Sequence, residues 1–175
     1  LTKEWSPKNK EGSLPNYLIQ HGIEHMFEVK DKKSVRMQLL NLYFFHEMYQ
    51  GDIRNPLENA NTEDDTPGYA HILNIWRRLG EKENIAKDYL ENIKIALSRN
   101  VDQSLLIAIS SVGKFCNSCY WLNESLIIMK KCFKYQKSIL GELHSDTIDS
   151  LSNIGFFLKV AGKYEEAETY YFEAL

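Results

Sequence analysis

The sequence predicts an all-α fold made of antiparallel helical hairpins, and three observations predict it. Prolines stand only at positions 7, 15, 56 and 67 of the 175 residues, so the chain from 68 onward is free to be helical. Apolar residues recur there at intervals of three and four, and the strict alternation of a half-buried strand is missing. The end of the chain also overlays on itself at a shift of 42 residues. Such a period is expected of an α-solenoid, in which each hairpin buries its apolar face against the next.

Residues 1–14 are polar and read as a loose tail. After Pro15, a helix is predicted over 16–29, with Ile19, Ile23, Met26 and Phe27 on one face. Asp31 or Ser34 can cap a second helix running to about Tyr49, in which Leu39, Leu40, Leu42, Phe44, Phe45 and Met48 are apolar enough to be mostly buried. These two helices make a hairpin over 15–50. Residues 51–66 are polar and rich in turn formers, and read as a loop or boundary. Thr66 and Pro67 then restart a helix whose apolar side is Ile72, Leu73, Ile75, Trp76 and Leu79 and whose stop is Gly80. A partner helix from about Glu83 to Asn100 completes a degenerate hairpin over 67–100, and units over 101–142 and 143–175 follow, the last one shortened at its C-terminus.

The 42-residue overlay pairs Ile109, Val112, Gly113 and Cys116 with Leu151, Ile154, Gly155 and Leu158. It then pairs Leu122, Ser125, Met129, Cys132 and Phe133 with Tyr164, Ala167, Tyr171, Ala174 and Leu175. Two antiparallel helices need a small residue where their backbones approach and bulky residues one turn away. On that argument Gly155 and Ala167 are the small contact pair, repeated one unit earlier by Gly113 and Ser125.

The residues Leu151, Ile154, Gly155, Leu158, Tyr164, Ala167, Tyr171 and Ala174 resemble the tetratricopeptide repeat. The 42-residue period, the long second helix and the linker from Leu140 through His144 to Ile148 look like the kinesin light chain and nephrocystin type of that repeat. Those families carry proline after the histidine, where this chain has Ser145. The resemblance implies a scaffold or adaptor segment whose first helices line a concave, peptide-binding surface. By the repeat register the residues on that surface are Ser110, Ser111, Lys114 and Asn117, then Asp149, Ser152, Asn153, Phe156 and Lys159. Asn153 takes the place of an asparagine that bonds an extended peptide's backbone in such repeats. Lys114 and Lys159 suit an acidic peptide or carboxylate, and Phe156 an apolar side chain; as ordinary solvated groups the same residues need no ligand.

The stretch from Tyr17 to Met26 faintly resembles the helical segment beside the nucleotide-binding modules of NACHT and NB-ARC signalling ATPases. It implies an alternative, a regulatory sensor arm of such an ATPase. No phosphate-binding loop, Gly-rich dinucleotide turn or nucleophile elbow occurs in the sequence, so no cofactor is expected.

Three patterns invite a chemical reading and are explained more simply. His21, Glu24 and His25 match a metallopeptidase string, yet they form the polar face opposite Ile19, Ile23 and Met26, so no metal is expected. Cys116 and Cys119 have zinc-site spacing, but only Cys132 remains to complete a ligand set, and Cys116 and Cys132 fall on apolar repeat positions. Asn123-Glu-Ser125 fits a glycosylation acceptor, with its serine assigned to packing.

The apolar fraction of 43% is enough for a proper core, and 21 basic against 24 acidic residues are spread without blocks. Neither nucleic acid nor a membrane is favoured as a partner; a protein or peptide is. Three clustered cysteines do not make a secreted disulfide framework, and no apolar run is long enough to span a bilayer. The chain is therefore expected to be non-catalytic, soluble and cytoplasmic, with a cytoskeletal or ciliary place open. Leu1 in place of Met and a helical pattern still running at Leu175 are read as a piece of a longer protein or larger assembly.

Overall fold

The computed structural model describes residues 22–23, 25–54, 69–80 and 84–175, with only the backbone of 51–54. Among the described residues every regular element is a helix, as the sequence predicts. The chain divides into two compact units, 1–85 and 86–175. That division falls inside the span read as a hairpin over 67–100. The expected tail, the polar loop beyond residue 54 and the Thr66–Pro67 restart lie outside the described residues.

In the first unit a helical segment ends at Glu28 and is closed by Lys30 at φ 59°, with the Asp31 amide donating to Met26 O at 3.0 Å. Asp31 then caps α1 (Lys32–Leu40), its Oδ1 accepting from Ser34 N at 3.0 Å. The hydrogen bonds from Ser34 hold the Asp31 carboxyl below its ordinary value.

One continuous helix to about Tyr49 is expected from the sequence, and here the structure differs. Asn41 leaves the helix at ψ 109° and its Oδ1 accepts from the amides of Tyr43 and Phe44, both at 3.2 Å. A new helix, α2 (Leu42–Arg54), starts at once and runs past the residue 50 where the hairpin was expected to end. An asparagine side chain competes well with the helical ladder for nearby amides, so it ends one helix and caps the next. The break aims Val35 and Leu39 of α1 and Leu42, Phe44, Phe45, Met48 and Tyr49 of α2 into one core. Helix α3 (Tyr69–Leu79) adds Ile72, Ile75 and Trp76 and packs against both, with Gly80 at φ 86° as its stop.

The second unit begins within α4 (Ile85–Leu97), which buries Tyr89 and Ile93. It continues with α5 (Gln103–Ser118), α6 (Leu122–Ile139), α7 (Ser145–Val160) and α8 (Tyr164–Glu173). Tyr89 meets Phe115 edge to face at 6.2 Å, joining α4 to α5. Helix α5 packs on α6, α6 on α7, α7 on α8, and α5 also touches α7.

Local geometry recurs here at the sequence period. Gln103, Ser118 and Leu122 bound helices as Ser145, Val160 and Tyr164 do 42 residues later. The α5–α6 turn has Tyr120 at φ 60° with Trp121 N donating to Cys116 O at 2.9 Å. The α7–α8 turn has Gly162 at φ 76° with Lys163 N donating to Leu158 O at 2.9 Å. Both are helix stops in which a left-handed residue lets the next amide reach back to an orphan carbonyl.

Bulky side chains of the second helix lie nearest Gly113 and Gly155. A Cβ added to Gly113 would stand 2.5 Å from Met129 Sδ, and one added to Gly155 would stand 3.0 Å from Tyr171 Cε1. The bare backbone admits a bulky side chain of the second helix. Ala167 lies in the cluster formed with Leu126, Met129, Ile154, Phe157 and Leu158, with Phe133 and Tyr170 at its edge. Full burial of side chains this size contributes about 1.5–3 kcal/mol each.

Two measurements check these contacts. Asn41→Ala removes the acceptor for two amides and should cost about 1 kcal/mol in chemical denaturation, with Asn41→Asp close to the parent; no loss on Asn41→Ala contradicts the capping role. Gly155→Leu should cost about 1–3 kcal/mol, and Tyr171→Ala in the same chain should relieve part of it. Strict additivity of the two changes would show that Gly155 and Tyr171 do not compete for one space.

Candidate functional site

The positions expected to meet a partner fall on α5 and α7, and helical geometry sorts them. On α7, Ser152 and Asn153 stand three and four residues after Asp149, and Phe156 stands four and three after them, so they share a stripe, with Lys159 at its far end. Leu151, Ile154, Phe157 and Leu158 lie on the buried side. Asp149, Phe156 and Lys159 are exposed, while Ser152 and Asn153 are half-buried. Asn153 Nδ2 donates to Asp149 O one turn back at 2.7 Å, which orients its amide along the stripe. Phe156 is 48% exposed and meets Phe157 edge to face at 6.0 Å, so its ring rests against a packed neighbour.

On α5, Ser110, Lys114 and Asn117 are half-buried. Ser111 differs from the expectation: it is buried, with its hydroxyl donating to Ile107 O at 3.3 Å. That hydrogen bond uses the hydroxyl inside its own helix, so Ser111 belongs to the packing. Asn117 Oδ1 is sequestered without a hydrogen-bond partner. Ile107, which the sequence reading passed over, is 36% exposed and stands 42 residues before Asp149. The repeat register alone is enough to place it on the stripe.

The two stripes are held side by side. Gln103 Nε2 in the first turn of α5 donates to Asp146 Oδ2 in the first turn of α7 at 2.9 Å. Beneath them a polar seam fixes α7 on α6. Ser150 Oγ donates to the buried Gln136 Oε1 at 2.6 Å, and Thr147 Oγ1 donates to Gly141 O at 2.8 Å. Cys132 Sγ donates to Leu106 O at 3.2 Å, tying α6 to α5. His144 caps α7 through Nδ1, which accepts from Asp146 N at 3.2 Å.

The remaining chemical candidates have structural places. Cys116 and Cys132 are buried free thiols, and Cys119 is a half-buried one. Burial pushes the Cys132 thiol up to about 12 and raises Cys116 as well, so neither is a thiolate available as ligand or nucleophile near neutral pH. His25 is exposed and pairs with Glu28 at 3.2 Å, while His21 and Glu24 lie outside the described residues. Among the described residues no three His, Cys, Asp or Glu side chains converge on a possible metal position, and no helix is long and apolar enough to cross a membrane. Ser125 of the Asn123-Glu-Ser125 string is buried.

The stripe therefore offers hydroxyl, amide, lysine and aromatic groups along two adjacent helices. Comparison with known proteins finds no matching family model, no significantly similar curated protein and no significantly similar solved structure.

The thiols give a direct check. At pH 8, iodoacetamide should modify Cys119 of the native protein and spare Cys116 and Cys132 until denaturant is added; equal labelling of all three would contradict their burial. A raised thiol pKa means that the folded state holds its proton where the unfolded chain loses it. The contribution of Cys132 is complete below its ordinary value of 9.0 and is lost as pH climbs from there toward about 12. Cys132→Ala should flatten the fall of stability across that window.

Proposed function

We propose that this chain is a non-catalytic protein-interaction module of the tetratricopeptide type, whose α5–α7 face binds a peptide or protein partner. The observation that carries this reading is the recurrence of α5 and α6 in α7 and α8. Helix bounds, turn hydrogen bonds and the glycine beneath a bulky residue all return after 42 residues. Stacked hairpins that contact only their neighbours present their first helices as a continuous surface, and extended chains bind there. The kinesin light chain and nephrocystin subtype rests on the period and the linker around His144.

The chemistry of the stripe selects the partner. Phe156 offers an exposed ring for an apolar side chain, Lys114 and Lys159 offer cations for acidic ones, and Asn153 and Ser152 offer hydrogen bonds to main chain. An acidic peptide with one apolar anchor fits this set. Free thiols agree with a reducing compartment, and the cytoplasm is the location this reading implies.

The test is binding of a partner captured by the full chain, compared with the Asn153→Ala, Lys159→Ala double variant and with Phe156→Ala. Phe156 and Lys159 are exposed and Asn153 is half-buried, so the melting curve should stay close to the parent's. Affinity should fall about tenfold or more for each variant, equivalent to about 1.4 kcal/mol. Undiminished recovery by both variants would remove the α5–α7 face from consideration.

A further inference from the structure

Helix α6 breaks a local rule of helix electrostatics. It carries Lys130, Lys131, Lys134 and Lys137 in close succession, and Glu124 is its one acidic residue. Like charges three and four residues apart repel along a helix, so Lys134 opposes Lys130, Lys131 and Lys137 at once. Two of the four cations are answered: Lys137 pairs with Glu142 at 2.8 Å, and Lys130 lies over the Tyr170 ring at 5.4 Å. Lys131 and Lys134 are exposed and form no ion pair among the described residues. Natural chains break such a rule without local compensation mainly at functional positions.

The two unanswered cations belong to a row. Ile127, Lys131, Lys134 and Ser138 succeed one another at steps of four, three and four residues, and all are exposed. The row lies opposite Ser125, Met129, Cys132 and Gln136, which face the core. Ile127, 46% exposed, puts an apolar group at its start. The hairpin of α7 and α8 already packs on α6 through Leu126, Met129 and Ala167, so this exposure is not that of a last unit.

Charge and spacing narrow the occupant. The contact of Lys130 with Tyr170 places α8 beside the row, and α8 carries Glu165, Glu166, Glu168 and Glu173 with no basic residue. A broad anionic surface, such as a bilayer or a nucleic acid duplex, would meet those carboxylates together with the lysines, whereas a polypeptide one helix wide meets chiefly the lysines. Along the axis Lys131 and Lys134 stand about 4.5 Å apart, from the rise of an α-helix. Same-side groups of an extended strand recur about every 6.6 Å, and only a second helix repeats the shorter step. We infer that the row Ile127, Lys131, Lys134 and Ser138 on the outer side of α6 docks a helix of a partner protein that presents carboxylates one turn apart beside an apolar residue. This inference goes beyond peptide binding by the α5–α7 face and concerns a different surface.

The experiment uses the full chain and two labelled synthetic helical peptides. One carries Leu with Glu four and seven residues on, and its twin has Lys for every Glu. Fluorescence anisotropy should show saturable binding of the Glu peptide that weakens as salt rises, with the twin about tenfold or more weaker. The Lys131→Glu, Lys134→Glu variant should lose about tenfold or more for the Glu peptide and prefer the twin. Both lysines are exposed and the changes remove like-charge contacts, so the melting curve should not fall. The Phe156→Ala, Lys159→Ala variant should bind the Glu peptide as the parent does, whatever its effect on the α5–α7 face. No saturable binding, equal binding of the two peptides, or undiminished binding by the Lys131→Glu, Lys134→Glu variant would overturn the inference. Loss of binding only on changing Phe156 and Lys159 would also do so, by moving the acidic peptide to the α5–α7 face. Vesicles rich in phosphatidylserine or a DNA duplex that displace the Glu peptide would assign the row to a broad anionic surface instead. Concentration-dependent self-association in sedimentation that Lys131→Glu, Lys134→Glu abolishes would place a second copy there and overturn it equally.

Discussion

The organisation of the second unit depends on the close approach of a bare helix backbone to a large side chain from the next helix. At Gly113 the visitor is Met129, and at Gly155 it is Tyr171. Without a Cβ, the first helix lets a long or aromatic side chain lie across it, and that contact sets how the two helices of a hairpin meet. Because both hairpins solve this problem at the same two positions, α7 reaches α6 prepared to close the cluster of Leu126, Met129, Ile154, Phe157 and Leu158. Interiors are packed too densely for a methyl group to be added at such a contact without movement.

The exposed stripe is the other side of the same packing. Once Leu106, Ile109, Val112 and Cys116 of α5 and Leu151, Ile154 and Leu158 of α7 are committed inward, Ser110 and Lys114 on α5 and Asp149, Asn153 and Phe156 on α7 are left half-buried or exposed. Ser110, Lys114 and Asn117, followed by Asp149, Asn153 and Phe156, owe their alignment to the buried side chains of the same helices. The bond between Gln103 and Asp146 matches the starts of the two helices, so the two stripes run in step. A surface positioned in this way tolerates variation in what it displays while its spacing stays constant.

The helical class was legible in the sequence because the proline spacing and the three- and four-residue apolar period agree with the packing. Asp102 caps α5, and Gly162 stops α7 where a left-handed residue is needed. The interruption at Asn41 was hidden because the apolar run on both sides fits a single helix; side-chain acceptance of the Tyr43 and Phe44 amides decides it, and periodicity does not record that. The overlay compares sizes and carries no direction, so it does not tell that Tyr171 lies nearest a Cβ at Gly155. Side chains on a helix lean toward its N-terminus, which brings Tyr171 over the glycine. Ser111 was assigned to the surface by its equivalence with Asn153, although a short hydroxyl can bond its own helix and be buried where a longer amide stays partly outside.

The bond between Ser150 and Gln136 has a consequence for the fidelity of the fold. An apolar seam between two helices is forgiving, since sliding by one turn exchanges one aliphatic contact for another at little loss. A single buried hydroxyl and amide remove that tolerance, because a slipped arrangement strands both groups away from water at a cost of about 1–3 kcal/mol each. The pair acts as a proofreading mark in an otherwise degenerate alignment. The greasy residues around it are free to drift in size and shape over generations while the correct alignment stays the one of lowest energy.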